Sequence, residues 1–449
     1  METVARLSLE LAAGRTTSRE LAELALARIA DASGEGARAF IKVYADTARA
    51  EAEHSDRLRR AGVVRSRVEG LPVSVKDLFD VGGDVTRAGS RLLAGAAPAT
   101  QDAAAVARLR AAGAVIVGRT NMVEFAFGVI GANPHYGTPK NPYDRATGRV
   151  PGGSSSGAAV ARADGMCVMA LGTDTRGSIR VPAALCGVTG FKPTARRVPR
   201  EGAFPLSYTL DSVGPLAGSV ACCADYDAVL AADAPAPLPA IPARGLRLML
   251  PRSSALEDLD RAVAAAFDGA VAALARAGAA LVEVDMPMFD RQAEYFRAGG
   301  FAGAEAYAIH KPWLGRMDEY DPRVGERVAR GKDLSAADYV ELLRLRERYM
   351  REVEAAAAPF DAILMPSVPC VAPRIAESTG TDEDYFRWNL RILRNAGLVN
   401  FLDGCAASLP CQAPGEAPVG LSVCGTAMSD RRTLAAAASV EAVLAARGR

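Results

Sequence analysis

The sequence predicts a layered α/β fold built on a mixed β-sheet, and three observations carry that prediction. Short, largely apolar runs such as LPVSV, AVIVG and MCVMAL have the length of buried strands. Longer segments with apolar residues at helical spacing, such as TTSRELAELALARIAD, lie between them. The two patterns alternate along 449 residues of which 50% are hydrophobic, which is ample for a large core.

The elements follow in order. Residues 16–31 read as a helix after a Thr/Ser start, AFIKVY at 39–44 as a strand, and ADTARAEAEHSDRLRRAG as a helix with a charged outer face. LPVSVKDLFD at 71–80 is a short apolar run ending in Lys-Asp, as at a strand end. TQDAAAVARLRAAG is a helix with a glycine stop, followed by the strand AVIVG. ADGMCVMALGTD repeats the pattern of an apolar strand running into a polar loop. ADAPAPLPAIPARG at 232–245 reads as a connector between two halves. A strand, a long helix and a strand come next, then a long amphipathic helix at 334–358. FDAILMPSVPCVAP and PVGLSVCG supply further strands, and TLAAAASVEAVLAARG a closing helix.

Bulk properties exclude several classes. A formal net charge of +1 gives no electrostatic argument for nucleic acid or an anionic membrane. No stretch approaches the roughly 20 apolar residues of a membrane span. METVARLSLELAAG lacks an apolar signal core, so the expected location is the cytoplasm. The eight cysteines form no C-x-x-C and no His-Cys zinc spacing, and are expected as buried, reduced thiols. Only three histidines occur, His54, His135 and His310, which weakens any Ser-His-Asp arrangement.

PGGSSSGAAV at 151–160 spends three hydroxyls between glycines and small apolar residues. The plain reading is a loop ending in a helix cap. A phosphate cradle fits poorly, because Gly157 is followed by Ala158 where a Walker loop needs Lys. A nucleophile site needs a base, since a serine hydroxyl is weak at neutral pH. Lys76, at the end of an apolar strand, can serve if burial lowers its pKa. A second polar loop, GTDTRGSIRVP at 172–182, ends another apolar strand, and the free N–H groups of a turn starting near Ser178 would suit an oxyanion.

Together, Lys76 in LPVSVKD, PGGSSSGAA and GTDTRGSIRVPAALCGVTGFKPT resemble the amidase signature family. AAGAVIVGRTNMVEFAFG, NPHYGTPKNPYD, LDSVGPLA, ILMPSVP and PVGLSVCG resemble further family segments in the expected order, from about Ala39 to the C-terminus. The resemblance implies one domain with a central mixed, twisted sheet covered by helices on both faces. Within it, 1–65 is an N-terminal helical segment, 66–225 the catalytic core, and 246–449 a second half that shapes the substrate pocket. It also implies a Ser–cis-Ser–Lys triad: Ser178 as nucleophile, Ser154 as bridging serine after a cis peptide bond, and Lys76 as base. Ser155 would support the hydrogen-bond network and Ser156 would cap the following helix. The N–H groups of Thr175, Arg176, Gly177 and Ser178 resemble the family's oxyanion hole. Asp174 and Arg180 would brace the loop as a local ion pair. Phe127 and Gly128 align with a loop lining the acyl pocket, and core packing is the other reading of Phe127. No metal or organic cofactor is implied.

One departure stands out. The family commonly has Gly-Gly before the nucleophile, and here the pair is Arg176-Gly177. A side chain at 176 requires negative φ; it either turns away to brace the loop or reaches an acidic or carbonyl group of the substrate. The resemblance implies a hydrolase of small-molecule amides, extending to carbamates and ureas, with a homodimer being ordinary for the family. The alternative is the glutamine-amidase component of a tRNA-dependent amidotransferase. Those components usually carry Arg-Gln-Pro after the nucleophile, whereas Arg180-Val181-Pro182 stands here. An inactive scaffold is the third reading, and intact Lys76, Ser154 and Ser178 argue against it. Pocket shape is expected to depend on 285–330, with Met288, Phe296, Phe301, Trp313 and Met317.

Overall fold

In the computed structural model, which describes residues 1–234 and 236–447, eleven strands form one mixed sheet. They are β1 (Phe40–Val43), β2 (Pro72–Lys76), β3 (Val115–Thr120), β4 (Met169–Asp174), β5 (Thr189–Lys192), β6 (Ser212–Ala217), β7 (Arg247–Arg252), β8 (Ala280–Asp285), β9 (Ala362–Pro366), β10 (Cys405–Pro410) and β11 (Gly420–Gly425). Their order across the sheet is β1-β3-β2-β4-β6-β5-β10-β11-β9-β7-β8. Both halves of the chain therefore contribute to a single hydrogen-bonded sheet, joined where β5 pairs antiparallel with β10. β3, β2 and β4 run parallel, as do β9, β7 and β8.

The pleat sends successive side chains to opposite faces, and both faces are covered. Val115, Val117, Ala170 and Leu216 pack with the helices Ser18–Ala30, Ala45–Arg60 and Ser156–Ala163. Val73, Val75, Ile116, Met169 and Leu171 pack on the other side with Ala104–Ala111, Val220–Ala231 and Asp430–Ala446. Burial on both faces explains why these strands read as unbroken apolar runs. The Thr/Ser start at residue 16 is a capping box: Thr17 accepts from the Glu20 N–H, and the Glu20 carboxylate accepts from the Thr17 N–H.

The connector at 232–245 carries one helical turn, Ala243–Gly245, with Pro235 outside the described residues. All eight cysteines are buried and unpaired. Among the described residues no helix is long and apolar enough to cross a membrane.

Candidate active site

β3, β2 and β4 are parallel neighbours, so their carboxyl ends share one edge of the sheet, the usual place for ligands in such sheets. Lys76 is the last residue of β2, and Thr173 and Asp174 are the last of β4. The segment after β3 holds the serine loop: the Val123 N–H donates to the Ser154 carbonyl (3.0 Å) and the Gly157 N–H to that of Asn121 (3.0 Å). Residues far apart in the chain thus meet because the strands that carry them are adjacent.

Lys76 is fully buried. Its Nζ donates to Ser154 Oγ (2.7 Å) and Thr173 Oγ1 (2.8 Å) and meets no carboxylate among the described residues. Burial pushes its pKa down to about 7, against the opposing pull of Asp211 and Asp174. At neutral pH a large share of Lys76 is therefore the free amine. The Gly153–Ser154 peptide bond is cis, as the resemblance implies.

Ser178 lies just beyond β4. Its carbonyl accepts from the Ser155 N–H (3.3 Å), and Ser155 Oγ reaches the Thr173 carbonyl (3.4 Å). Ser155 thereby ties the serine loop to the loop that carries Ser178. The Ser178 hydroxyl makes no hydrogen bond among the described residues. At 3% exposure Ser178 retains the access to solvent that Ser154 and Lys76, both at 0%, lack.

Asp174 organises the turn that presents Ser178. It accepts the N–H of Gly177 (2.7 Å) and Ile179 (3.2 Å), Arg180 Nε (3.0 Å) and Nη2 (2.9 Å), and Asn400 Nδ2 (2.9 Å). Burial opposes ionisation of this carboxyl, but Arg180 and the other donors hold it well below the usual carboxylate range. Asp174 and Arg180 are completely buried as an internal brace. Gly177 has φ +123°, and a Cβ there would stand 2.7 Å from that of Ala396, so the turn requires glycine.

Two expectations need correction. The Gly177 N–H, expected among the oxyanion donors, is taken by the buried Asp174 carboxylate (2.7 Å). The N–H groups of Thr175, Arg176 and Ser178 are the ones left without an acceptor among the described residues. Ser156 does not cap the helix: it is the first helical residue, its hydroxyl has no partner, and Ser155 stands at the cap position without a capping bond.

Arg176 has negative φ, which answers the steric question. Its guanidinium carbon lies over the Phe296 ring (3.6 Å to the centroid), with no carboxylate partner among the described residues. Phe127 is buried beneath Arg327, whose guanidinium carbon is 4.3 Å from the ring centroid and whose Nη1 donates to the Phe127 carbonyl (2.9 Å). A Cβ at Gly128 would come within 2.6 Å of the Tyr385 hydroxyl, so only glycine fits beside Phe127. Of the five apolar residues expected to shape the pocket, Phe296 reaches the nucleophile loop through Arg176, whereas Phe301 is buried core.

A cavity of about 490 Å³ flanks the site, with Leu78, Ala126, Thr173, Thr175, Phe204 and Asp211 in its wall. Asp211 accepts from Thr175 Oγ1 (2.5 Å) and anchors that side of the loop. Thr173, Asp211, Asn400 and Arg327 were not singled out from the sequence. Thr173 and Asp211 lie inside recognisable segments, but only the fold brings Asn400 and Arg327 to the loop. His135 pairs with Glu124 and His310 with Tyr320; neither bonds a serine of the site. Among the described residues no three His, Cys, Asp or Glu side chains gather as a metal site.

Residues 20–434 match the family model described as Amidase. The chain is 37% identical to the 2-amino-5-chloromuconic acid deaminase of Comamonas testosteroni, over 98% of this chain and 96% of that one. It is 39% identical to AtzE, the 1-carboxybiuret hydrolase component of Pseudomonas sp. (strain ADP), over 81% of each. Amidotransferase components are relatives too: the A component of the glutamyl-tRNA(Gln) amidotransferase of Chloroflexus aggregans is 34% identical over 94% of this chain and 92% of that one. A crystal structure of an amidase superposes with a TM-score of 0.88 at 34% identity, covering 98% of this chain and 99% of the other. With the family motifs set in one parallel sheet edge and this match along nearly the whole length, the chain belongs to the amidase signature family and is a hydrolase of carbon–nitrogen bonds.

Proposed function

We propose that the protein hydrolyses a small-molecule amide, carbamate or urea through an acyl-enzyme on Ser178. The observation that carries this reading is the buried Lys76 amine, 2.7 Å from Ser154 Oγ and free of any carboxylate among the described residues. Neutral Lys76 takes the Ser154 proton as Ser154 takes that of Ser178. Ser178 Oγ bonds to the carbonyl carbon, and the oxyanion that forms accepts from the unpaired N–H groups of the turn, with those of Arg176 and Ser178 in the leading roles. The C–N bond then breaks, and the proton returns from Lys76 through Ser154 to the departing nitrogen. Water enters, the same relay takes its proton, and the acid leaves with Ser178 restored. The Ser154–Ser178 contact closes when substrate fills the site, as catalytic hydrogen bonds often do.

The test is hydrolysis of an aliphatic amide, an aryl anilide, an aryl carbamate and free glutamine by wild type and Ser178→Ala. Ser178-dependent release from an amide, anilide or carbamate supports the reading. Release from glutamine alone supports the amidotransferase alternative, against which Val181 in place of the usual Gln speaks. Hydrolysis retained by Ser178→Ala overturns the nucleophile assignment.

A further inference from the structure

The two fully buried arginines among the described residues are each matched by a carboxylate. Arg180 has Asp174 and Arg119 has Asp77, each pair fully buried. Two half-buried arginines, Arg176 on the loop that carries Ser178 and Arg327 beside Phe127, have no such match among the described residues. Arg176 forms no ion pair and no side-chain hydrogen bond among the described residues, and its Nε is buried without a partner. Arg327 forms no ion pair among them either; its Nη1 is held by the Phe127 carbonyl and by Asn389 Oδ1 (3.4 Å). Both guanidinium groups are pinned by stacking, Arg176 on Phe296 and Arg327 on Phe127. Gly397 keeps room for the first stack: a Cβ there would lie 3.2 Å from the Phe296 ring and 3.5 Å from Arg176 Nε. Phe296 is fixed in turn by edge contacts with Phe401 and Tyr295.

Stacking uses the face of a guanidinium and leaves its in-plane N–H groups free for a planar, two-pronged acceptor. Partly desolvating a charge that feels a like charge and has no counter-charge is unfavourable. Burial and the neighbouring Arg327 both act against the charge of Arg176. An arriving anion relieves both costs. Arg176 is two residues before Ser178, and Arg327 donates to the carbonyl of Phe127, next to Gly128, so both belong to the segments around Ser178.

We infer that Arg176 and Arg327 form a carboxylate-recognition site, so that the preferred substrate is an amide whose acyl part ends in a carboxylate. This inference rests on the hydrolysis proposed for Ser178. Arg176 and Arg327 are specificity-determining residues, with no part in bond cleavage for their side chains.

The experiment compares N-phenylsuccinamate with its methyl ester. These share the anilide bond and differ in one charge. Binding to Ser178→Ala is measured by calorimetry, and turnover with the wild type. The acid is expected to bind at least about 30-fold more tightly than the ester, the size of effect that charged hydrogen bonds produce. In Ser178→Ala/Arg176→Gly, which restores the family's usual glycine, this preference shrinks at least tenfold, while Ser178→Ala/Arg176→Lys retains part of it. Arg327→Leu in the Ser178→Ala background shrinks it independently. Equal binding of acid and ester to Ser178→Ala, or binding of neither, overturns the carboxylate site. Wild-type hydrolysis of the neutral amides in that case leaves the Ser178 reading standing, so the two failures are distinguishable.

Discussion

Asp174 and Arg180 face each other across the nucleophile turn in a two-point pair, Nε to Oδ2 at 3.0 Å and Nη2 to Oδ1 at 2.9 Å, with neither reached by water. The same carboxylate holds the Gly177 and Ile179 N–H groups, so one side chain sets both the charge balance and the shape of the turn. Asp174→Ala leaves Arg180 buried and unpaired. It is expected to cost about 3–5 kcal/mol of stability, measured by chemical denaturation, and to remove activity as the turn relaxes.

The pH profile follows from Lys76. The relay needs the free amine, whose pKa is lowered to about 7 by burial. Below that value the ammonium accumulates and its lone pair is lost. kcat/KM is therefore expected to fall tenfold per pH unit on the acid side and to level off above about 7. Thr173→Val removes an acceptor that stabilises the ammonium at 2.8 Å, so the acid limb should move to lower pH. A profile flat from pH 5 to 9 would exclude Lys76 as base.

Replacing the relay residues separates chemistry from folding. Ser178→Ala should abolish turnover with an unchanged circular dichroism spectrum and Tm. Ser154→Ala should lower kcat by about 10²–10⁴, the range for a lost proton-transfer group. Lys76→Ala should be nearly inactive at neutral pH.

Adjacent serines should behave differently. The Ser156 hydroxyl is buried without a partner, so Ser156→Ala is expected to be neutral or slightly stabilising with unchanged kinetics. Ser155→Ala deletes the side-chain bond that links the serine loop to the Thr173 carbonyl, and should lower kcat while leaving the fold intact. Thermal melts and steady-state rates of the two variants check both outcomes.

Much of this architecture is legible in the sequence alone. β2, β3 and β4 are apolar runs buried on both faces, and the polar loops at their ends mark the site. β5 (TGFK) and β10 (CAASLP) are not legible: runs of four and six residues carry too little of a period, and pairing with β6, with each other and with β11 makes them strands. The triad positions come from a resemblance over three separated motifs. The cap assigned to Ser156 fails because residue type alone does not distinguish the cap position from the first helical residue. Arg176 is visible as a departure, but its stacking partner Phe296 and its neighbour Arg327 lie 120 or more residues away in a stretch with little family signal. Such partners are set by packing, which one sequence does not display.

Asn400 has a wider consequence. It donates to Asp174 (2.9 Å) and accepts from Arg180 (2.6 Å), so a short helix of the second half, Ala396–Phe401, closes the brace beneath Ser178. A helix of the second half thus holds the turn that presents Ser178. Grafting a relative's second half to change specificity would therefore succeed only if the graft brings its own matched clasp at this helix; a chimera with a new pocket and a mismatched clasp would bind its intended substrate and leave it uncut.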